Sequence, residues 1–239
     1  MGDGTVSLAP QDKSPRSPIY RQLAALGAEF AEVAGAACAM GFGGGLEAEV
    51  EQARSLAVCD LSALPRAGFK GREAQSWPAA QGLVISPDNN FSVLQDDGAL
   101  VARLADSEVL ILSDLACGSG LCARLAEAWS PDPDPGAYPV PRADTNCWLM
   151  ISGVHADAMF AKLCGVDLRP HKFPNLAIAQ TNLARLNGIV IRADLGDCLA
   201  YHLLTDSAAA GYMWMCLLDA MAEWGGAAVG LGALRKLAT

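Results

Sequence analysis

The chain is short of charge, aromatic rings and histidine. Only 18% of its 239 residues are Asp, Glu, Lys or Arg, 6% are aromatic, and three are His. It has no long apolar run. No stretch without a charged residue exceeds 14 residues, as in Val33–Leu46, which holds five glycines, whereas a membrane-spanning helix needs about 18 or more apolar residues. Basic clusters are also missing, and the net charge is −9, which argues against nucleic acid and anionic membrane as partners. Neither G-x-S-x-G nor H-E-x-x-H occurs, and there is no P-loop lysine. The eight cysteines form no C-x-x-C pair. They lie scattered through apolar runs, as small buried thiols in a reducing compartment do, and not as a zinc ribbon or disulfide framework. The polar, proline-rich segment 1–17 has no apolar core of a secretion signal. It reads as a disordered leader, and the protein as cytoplasmic.

What is present is apolar surface. Hydrophobic residues make up 52% of the chain before glycine is counted, against about 45–50% with glycine included in an average soluble domain. The balance suggests a subunit with large apolar faces.

The proline-rich segment 130–143 reads as an extended linker dividing an N-terminal α+β unit, 18–129, from a C-terminal one, 144–239. In the first unit, Ser17–Leu26 starts the ordered chain, with helical character through Ala39. Leu46, Val50, Ala53 and Ala57 recur at helical spacing, with Glu47, Glu49, Glu51 and Arg54 on the other side. Cys59–Pro65 ends that helix. Strands are expected at Arg66–Gly71, Ala99–Leu104 and Glu108–Leu112, and helices at Arg72–Gln81 and Leu121–Trp129. In the second unit, Cys147–Ser152 reads as a strand. Ala156, Met159, Phe160 and Leu163 form a core stripe. Ile178–Ala184, Ile189–Arg192 and Leu199–Thr205 read as strands, and Ser207 as the cap of a helix through Trp224. Gly71-Arg-Glu-Ala74 and Gly153-Val-His-Ala156 stand in equivalent places after a strand. The expected fold class is α+β, built from two similar β-α-β-β-α units.

Candidate sites are few. Gly118-Ser-Gly120-Leu-Cys-Ala123 follows a strand and opens a helix, as a dinucleotide fingerprint does, or as any glycine-rich helix start does. His155, His171 and His202 share no motif. Asp167-Leu-Arg-Pro-His-Lys-Phe-Pro174 places Arg169, His171 and Lys172 together in an acidic protein, either to grip an anion or acidic partner loop or as a solvated connection. Arg66 and Lys70 flank a strand in the same way. The last long helix carries Tyr212, Trp214, Met215 and Trp224 with only Asp219 and Glu223 as a polar stripe. It is either a partner interface or a central core helix. The expected interface set is therefore Arg66, Lys70, Arg169, His171, Lys172, Tyr212, Trp214, Met215 and Trp224, with no catalytic or metal-binding constellation.

Several long stretches resemble one family. Asp60-Leu-Ser-Ala-Leu-Pro-Arg-Ala-Gly-Phe-Lys-Gly71 looks like a signature of the gamma subunit of heterotetrameric sarcosine oxidase. So do Cys164-Gly-Val-Asp-Leu-Arg-Pro-His-Lys-Phe-Pro174, Ala177-Ile-Ala-Gln-Thr181, Ala184-Arg-Leu186 and Leu217-Leu-Asp-Ala-Met-Ala-Glu-Trp-Gly-Gly226. The resemblance covers about residues 20–236. It implies a fold similar to the folate-binding domain of the glycine-cleavage aminomethyltransferase. It also implies alpha, beta and delta partner subunits in an enzyme that oxidises sarcosine to glycine and passes the one-carbon unit to tetrahydrofolate. FAD, covalent FMN, NAD and tetrahydrofolate are implied on the larger subunits and no cofactor on this chain. No folate-activating aspartate aligns here. N-methylglutamate dehydrogenase shares the four-subunit plan, and a stand-alone folate-dependent aminomethyltransferase is the rival reading.

Overall fold

A computed structural model describes residues 14–239; most of the expected leader, residues 1–13, lies outside the described residues. Residues 15–17 run against the first hairpin, where Ala37 N–H donates to Pro15 O. Helix α1 (Tyr20–Ala25) is followed by the hairpin β1 (Glu29–Val33) and β2 (Ala36–Gly41). This corrects the helix expected through Ala39. Ala34 and Gly35 both have positive φ, +51° and +79°, the two-residue turn whose twist suits a hairpin. Phe30, Ala31 and Val33 are buried while Glu29 and Glu32 face solvent.

Helix α2 (Leu46–Ser55) forms where expected, with one change of face. Glu49 is buried, accepting from Phe42 N–H at 2.6 Å and from Gly230 N–H at 2.7 Å, so its carboxylate ties α2 to two distant segments. Strand β3 (Ala57–Asp60) takes up Ala57, expected in the helix, and the start of the segment expected to end it, and β4 (Arg66–Lys70), α3 (Ser76–Ala80), β5 (Phe91–Leu94), β6 (Leu100–Ala105), β7 (Glu108–Leu112) and α4 (Leu121–Ala128) follow. The proline-rich segment contains β8 (Tyr138–Pro139) and runs into α5 (Arg142–Thr145). The second half comprises β9 (Asn146–Ser152), α6 (Ala156–Phe160), β10 (Ile178–Leu183), β11 (Leu186–Arg192), β12 (Ala200–Asp206), α7 (Ala210–Met221), β13 (Ala227–Ala228) and α8 (Leu231–Leu237). Asp206, not Ser207, accepts the capping bond from Ala208 N–H ahead of α7.

The fold is α+β. One sheet runs β5-β6-β7-β4-β8 and the other β10-β11-β12-β9-β3-β13. Every pairing in them is antiparallel except β3 with β13. The sets β5-β6-β7-β4 and β10-β11-β12-β9 have the same connectivity, in which a strand and a helix lead into a three-strand meander and another helix. In the first set this is one strand more than expected, because β5 was not foreseen. The boundary between the sheets does not fall at the proline-rich segment along the chain. β3, from the N-terminal half, pairs with β9 from Ala57↔Ser152 to Asp60↔Leu149.

Alternation along the strands builds four layers. Leu149, Ile151, Tyr201 and Leu203 face α6 and α7, packing on Phe160, Met213, Trp214 and Leu217. Trp148, Met150 and Leu204 face the other way, toward Leu100, Leu104, Leu110 and Leu112 of the facing sheet and Leu234 of α8. Val101, Val109 and Ile111 then meet Leu121 and Leu125 of α4. Burying each large side chain contributes about 1.5–3 kcal/mol, so the stacked faces account for much of the apolar excess.

Candidate functional site

The expected interface residues separate into two groups. Trp214 is 1% exposed and belongs to the core between α7 and the six-stranded sheet. Its neighbour Met215 is 61% exposed and Tyr212 is 45% exposed, with the Tyr212 hydroxyl donating to Ala184 O at 3.0 Å. At 100° per residue, adjacent helix positions point to different sides, so the interface assignment of Trp214 is corrected to core while Tyr212 and Met215 remain at the surface. Trp224 stacks on His155 with ring centroids 6.0 Å apart, and Lys162 Nζ lies 4.4 Å from its centroid.

Arg66 is also corrected. It is 6% exposed, and its guanidinium donates to the carbonyls of Ser62, Leu64, Arg142, Ala143 and Asn146. It knots the β3–β4 turn to α5, and burial pulls its pKa down. Lys70, on the same strand, is exposed and pairs with Glu108 at 3.2 Å. Arg169, His171 and Lys172 are exposed on one loop. Arg169 chelates Asp167 through Nε at 2.8 Å and Nη2 at 2.6 Å, and this holds the Asp167 carboxyl well below the usual carboxylate range. The loop is anchored from beneath, with Phe173 buried, Tyr201 Oη donating to Leu168 O, and Arg192 donating to Phe173 O.

The glycine-rich segment is not a dinucleotide cradle. Its strand lies in an antiparallel sheet, and the Asp114 carboxylate accepts from Gly118 N–H at 3.1 Å and Ser119 N–H at 3.5 Å. A carboxylate already occupies the position a phosphate needs. Among the described residues no group of three or more His, Cys, Asp and Glu is placed to hold a metal, and no helix is long and apolar enough to cross a membrane.

Sequence reading missed the main cavity. About 580 Å³ opens between the two sheets, bounded by the β5–β6 turn, the segment after β7, the β11–β12 loop and the end of α8. Leu94, Leu100, Leu115, Met150, Leu176 and Leu195 supply apolar wall. Asp97, Asp114, Asp194, His202 and Arg235 are polar lining residues. These five come from five separate segments, so no local motif marks them. Each acid is engaged: Asp97 accepts from Ala99 N–H, Asp114 from the glycine loop, and Asp194 from Arg192 at 3.0 and 2.6 Å. These carboxylates serve turns and an ion pair.

Solved structures that share this fold include the following two. The glycine cleavage system aminomethyltransferase T from Bartonella henselae superposes with a TM-score of 0.70 at 16% identity, over 95% of this chain and 62% of that one. This chain therefore spans about 62% of the aminomethyltransferase's length. A chain of the heterotetrameric sarcosine oxidase from Corynebacterium sp. U-96, in complex with pyrrole 2-carboxylate, superposes with a TM-score of 0.64 at 21% identity, over 87% of this chain and 95% of that one. No family model and no curated protein matches the chain. The architecture is thus that of the aminomethyltransferase and of the oxidase chain, the two systems to which the sequence resemblance points.

Proposed function

We propose that the chain is the gamma-type subunit of a sarcosine-oxidase-like heterotetrameric flavoenzyme in the cytoplasm. The enzyme would oxidatively demethylate sarcosine to glycine and hand the one-carbon unit to tetrahydrofolate. Alpha and beta subunits would carry FAD, FMN and NAD, and a small delta subunit would complete the complex. This chain would supply assembly surface and no catalytic residue. The observation that carries the reading is the extent of the match, which takes in 95% of the sarcosine oxidase chain but 62% of the aminomethyltransferase. The exposed Tyr212 and Met215 on α7, and the already engaged acids of the cavity, support it as well.

The test is co-expression of the tagged chain with candidate alpha, beta and delta chains. The expected product is one complex with bound flavin that forms hydrogen peroxide when given sarcosine. A complex that oxidises N-methylglutamate through another acceptor would move the assignment to the dehydrogenase relative. A monodisperse monomer that binds tetrahydrofolate tightly and transfers the one-carbon unit alone would overturn the subunit reading.

A further inference from the structure

In the sheet-to-sheet cavity each acid already accepts from the protein, while two donors keep N–H groups with no protein acceptor among the described residues. On the acceptor side, Asp97, Asp114 and Asp194 each take N–H groups from the protein. On the donor side, Arg235 spends only Nε, which donates to Leu115 O at 2.9 Å. Among the described residues no carboxylate pairs with its guanidinium. His202 is 7% exposed and also lines the cavity. Its Nδ1 lies 3.0 Å from Trp148 Nε1. An indole nitrogen only donates, so Nδ1 must accept, and the proton of a neutral imidazole must sit on Nε2. Burial pushes the His202 pKa down to about 4, which keeps the ring neutral at ordinary pH. Nε2–H has no protein acceptor among the described residues. The Trp148 bond therefore presets the ring as a donor toward the cavity.

We propose that this cavity binds a small organic anion, an apolar body bearing a carboxylate that accepts from the Arg235 guanidinium and from His202 Nε2–H. A guanidinium fork matches a carboxylate in shape and charge. The leucines and Met150 provide the wall for the body, and about 580 Å³ falls within the usual range for small-ligand sites, roughly 300–1,000 Å³. The inference stands apart from the subunit reading, because it rests only on residues of this chain.

The full chain, titrated by calorimetry with 2-naphthoate, neutral 2-naphthamide and cationic 2-naphthylmethylamine, tests it. The expected result is that naphthoate binds at least tenfold more tightly than the amide and the amine. Arg235→Gln, on the half-buried outer wall, should abolish that preference. In the wild-type chain, naphthoate should also shift the His202 Nε2–H proton signal downfield, a readout that needs no variant. Equal binding of the three probes, a preference for the amine, or no binding at all would overturn the proposal. So would naphthoate affinity unchanged in Arg235→Gln.

Discussion

Trp148 and His202 sit on neighbouring strands β9 and β12, and the indole N–H donates to His202 Nδ1 at 3.0 Å in the sheet-to-sheet core. This bond fixes the tautomer, and burial of the ring gives the molecule a pH signature. The unfolded chain takes up a proton on this ring near 6.5, whereas the folded chain resists it down to about 4. The contribution is complete above the unfolded value and is lost as pH falls from there toward the folded one. The loss reaches about 3 kcal/mol at the lower end. Urea unfolding at pH 7.5 and 4.5 should show a steeper fall for the wild type than for His202→Gln. Parallel slopes would remove His202 as a titrating group.

The two sides of α7 should answer differently to the same charge. Trp214→Asp places a carboxylate in the core and should prevent folding, a loss of roughly 4 kcal/mol or more. Met215→Asp changes an exposed position, so circular dichroism and melting temperature should stay close to wild type while assembly with partner subunits fails. A Met215→Asp chain that assembles normally would place the interface elsewhere.

Arg66 and Lys70 lie on one strand and should differ in the same manner. Arg66→Met leaves five carbonyls short of a donor, three of them in buried bonds, and should cost about 3–5 kcal/mol. Lys70→Met removes an exposed ion pair and should cost under about 1 kcal/mol. Denaturant midpoints of the two variants decide between them.

Gly153 has φ +111°, and a Cβ there would lie 2.3 Å from Ser55 O. Gly153→Ala should therefore destabilise by about 3 kcal/mol or more, because strain and a backbone clash act together. A near-neutral effect in thermal melts would mean that the β9–α6 turn is looser than its geometry.

Cys38 and Cys147 should be inert in the native state. Burial pushes Cys38 up to about 12 and Cys147 up to about 11, so little thiolate forms. Iodoacetamide at pH 8 should leave both unmodified until the chain is unfolded, as mass spectrometry of the peptides would show.

The strands were legible where pattern and punctuation agree, as in Ala99–Leu104, Glu108–Leu112 and Ile178–Ala184. The β1–β2 hairpin was not, because Glu29–Gly41 holds many alanines and glycines and a single β-branched residue, Val33. Its Ala34–Gly35 turn carries no Asn-Gly signal. A single residue, Leu56, separates the end of α2 from the start of strand β3, with no breaker between. Apolar residues cover nearly every direction of α7, so periodicity could establish a helix but not which side was inward, and Trp214 was placed with Met215. The cavity was invisible for a different reason. Met150, Asp194, His202 and Arg235 converge only after the sheets have stacked, and nothing local in the chain records that meeting.

The proposed role places this chain inside a larger flavoenzyme. Its most direct test is the native mass and flavin absorbance of whatever purifies with the tagged chain, for wild type and Met215→Asp, after co-expression with alpha, beta and delta candidates. The account predicts a four-chain, flavin-bearing particle for the wild type and a free, folded single chain for Met215→Asp. A wild-type chain that elutes alone and without flavin in the presence of all three partners would contradict it.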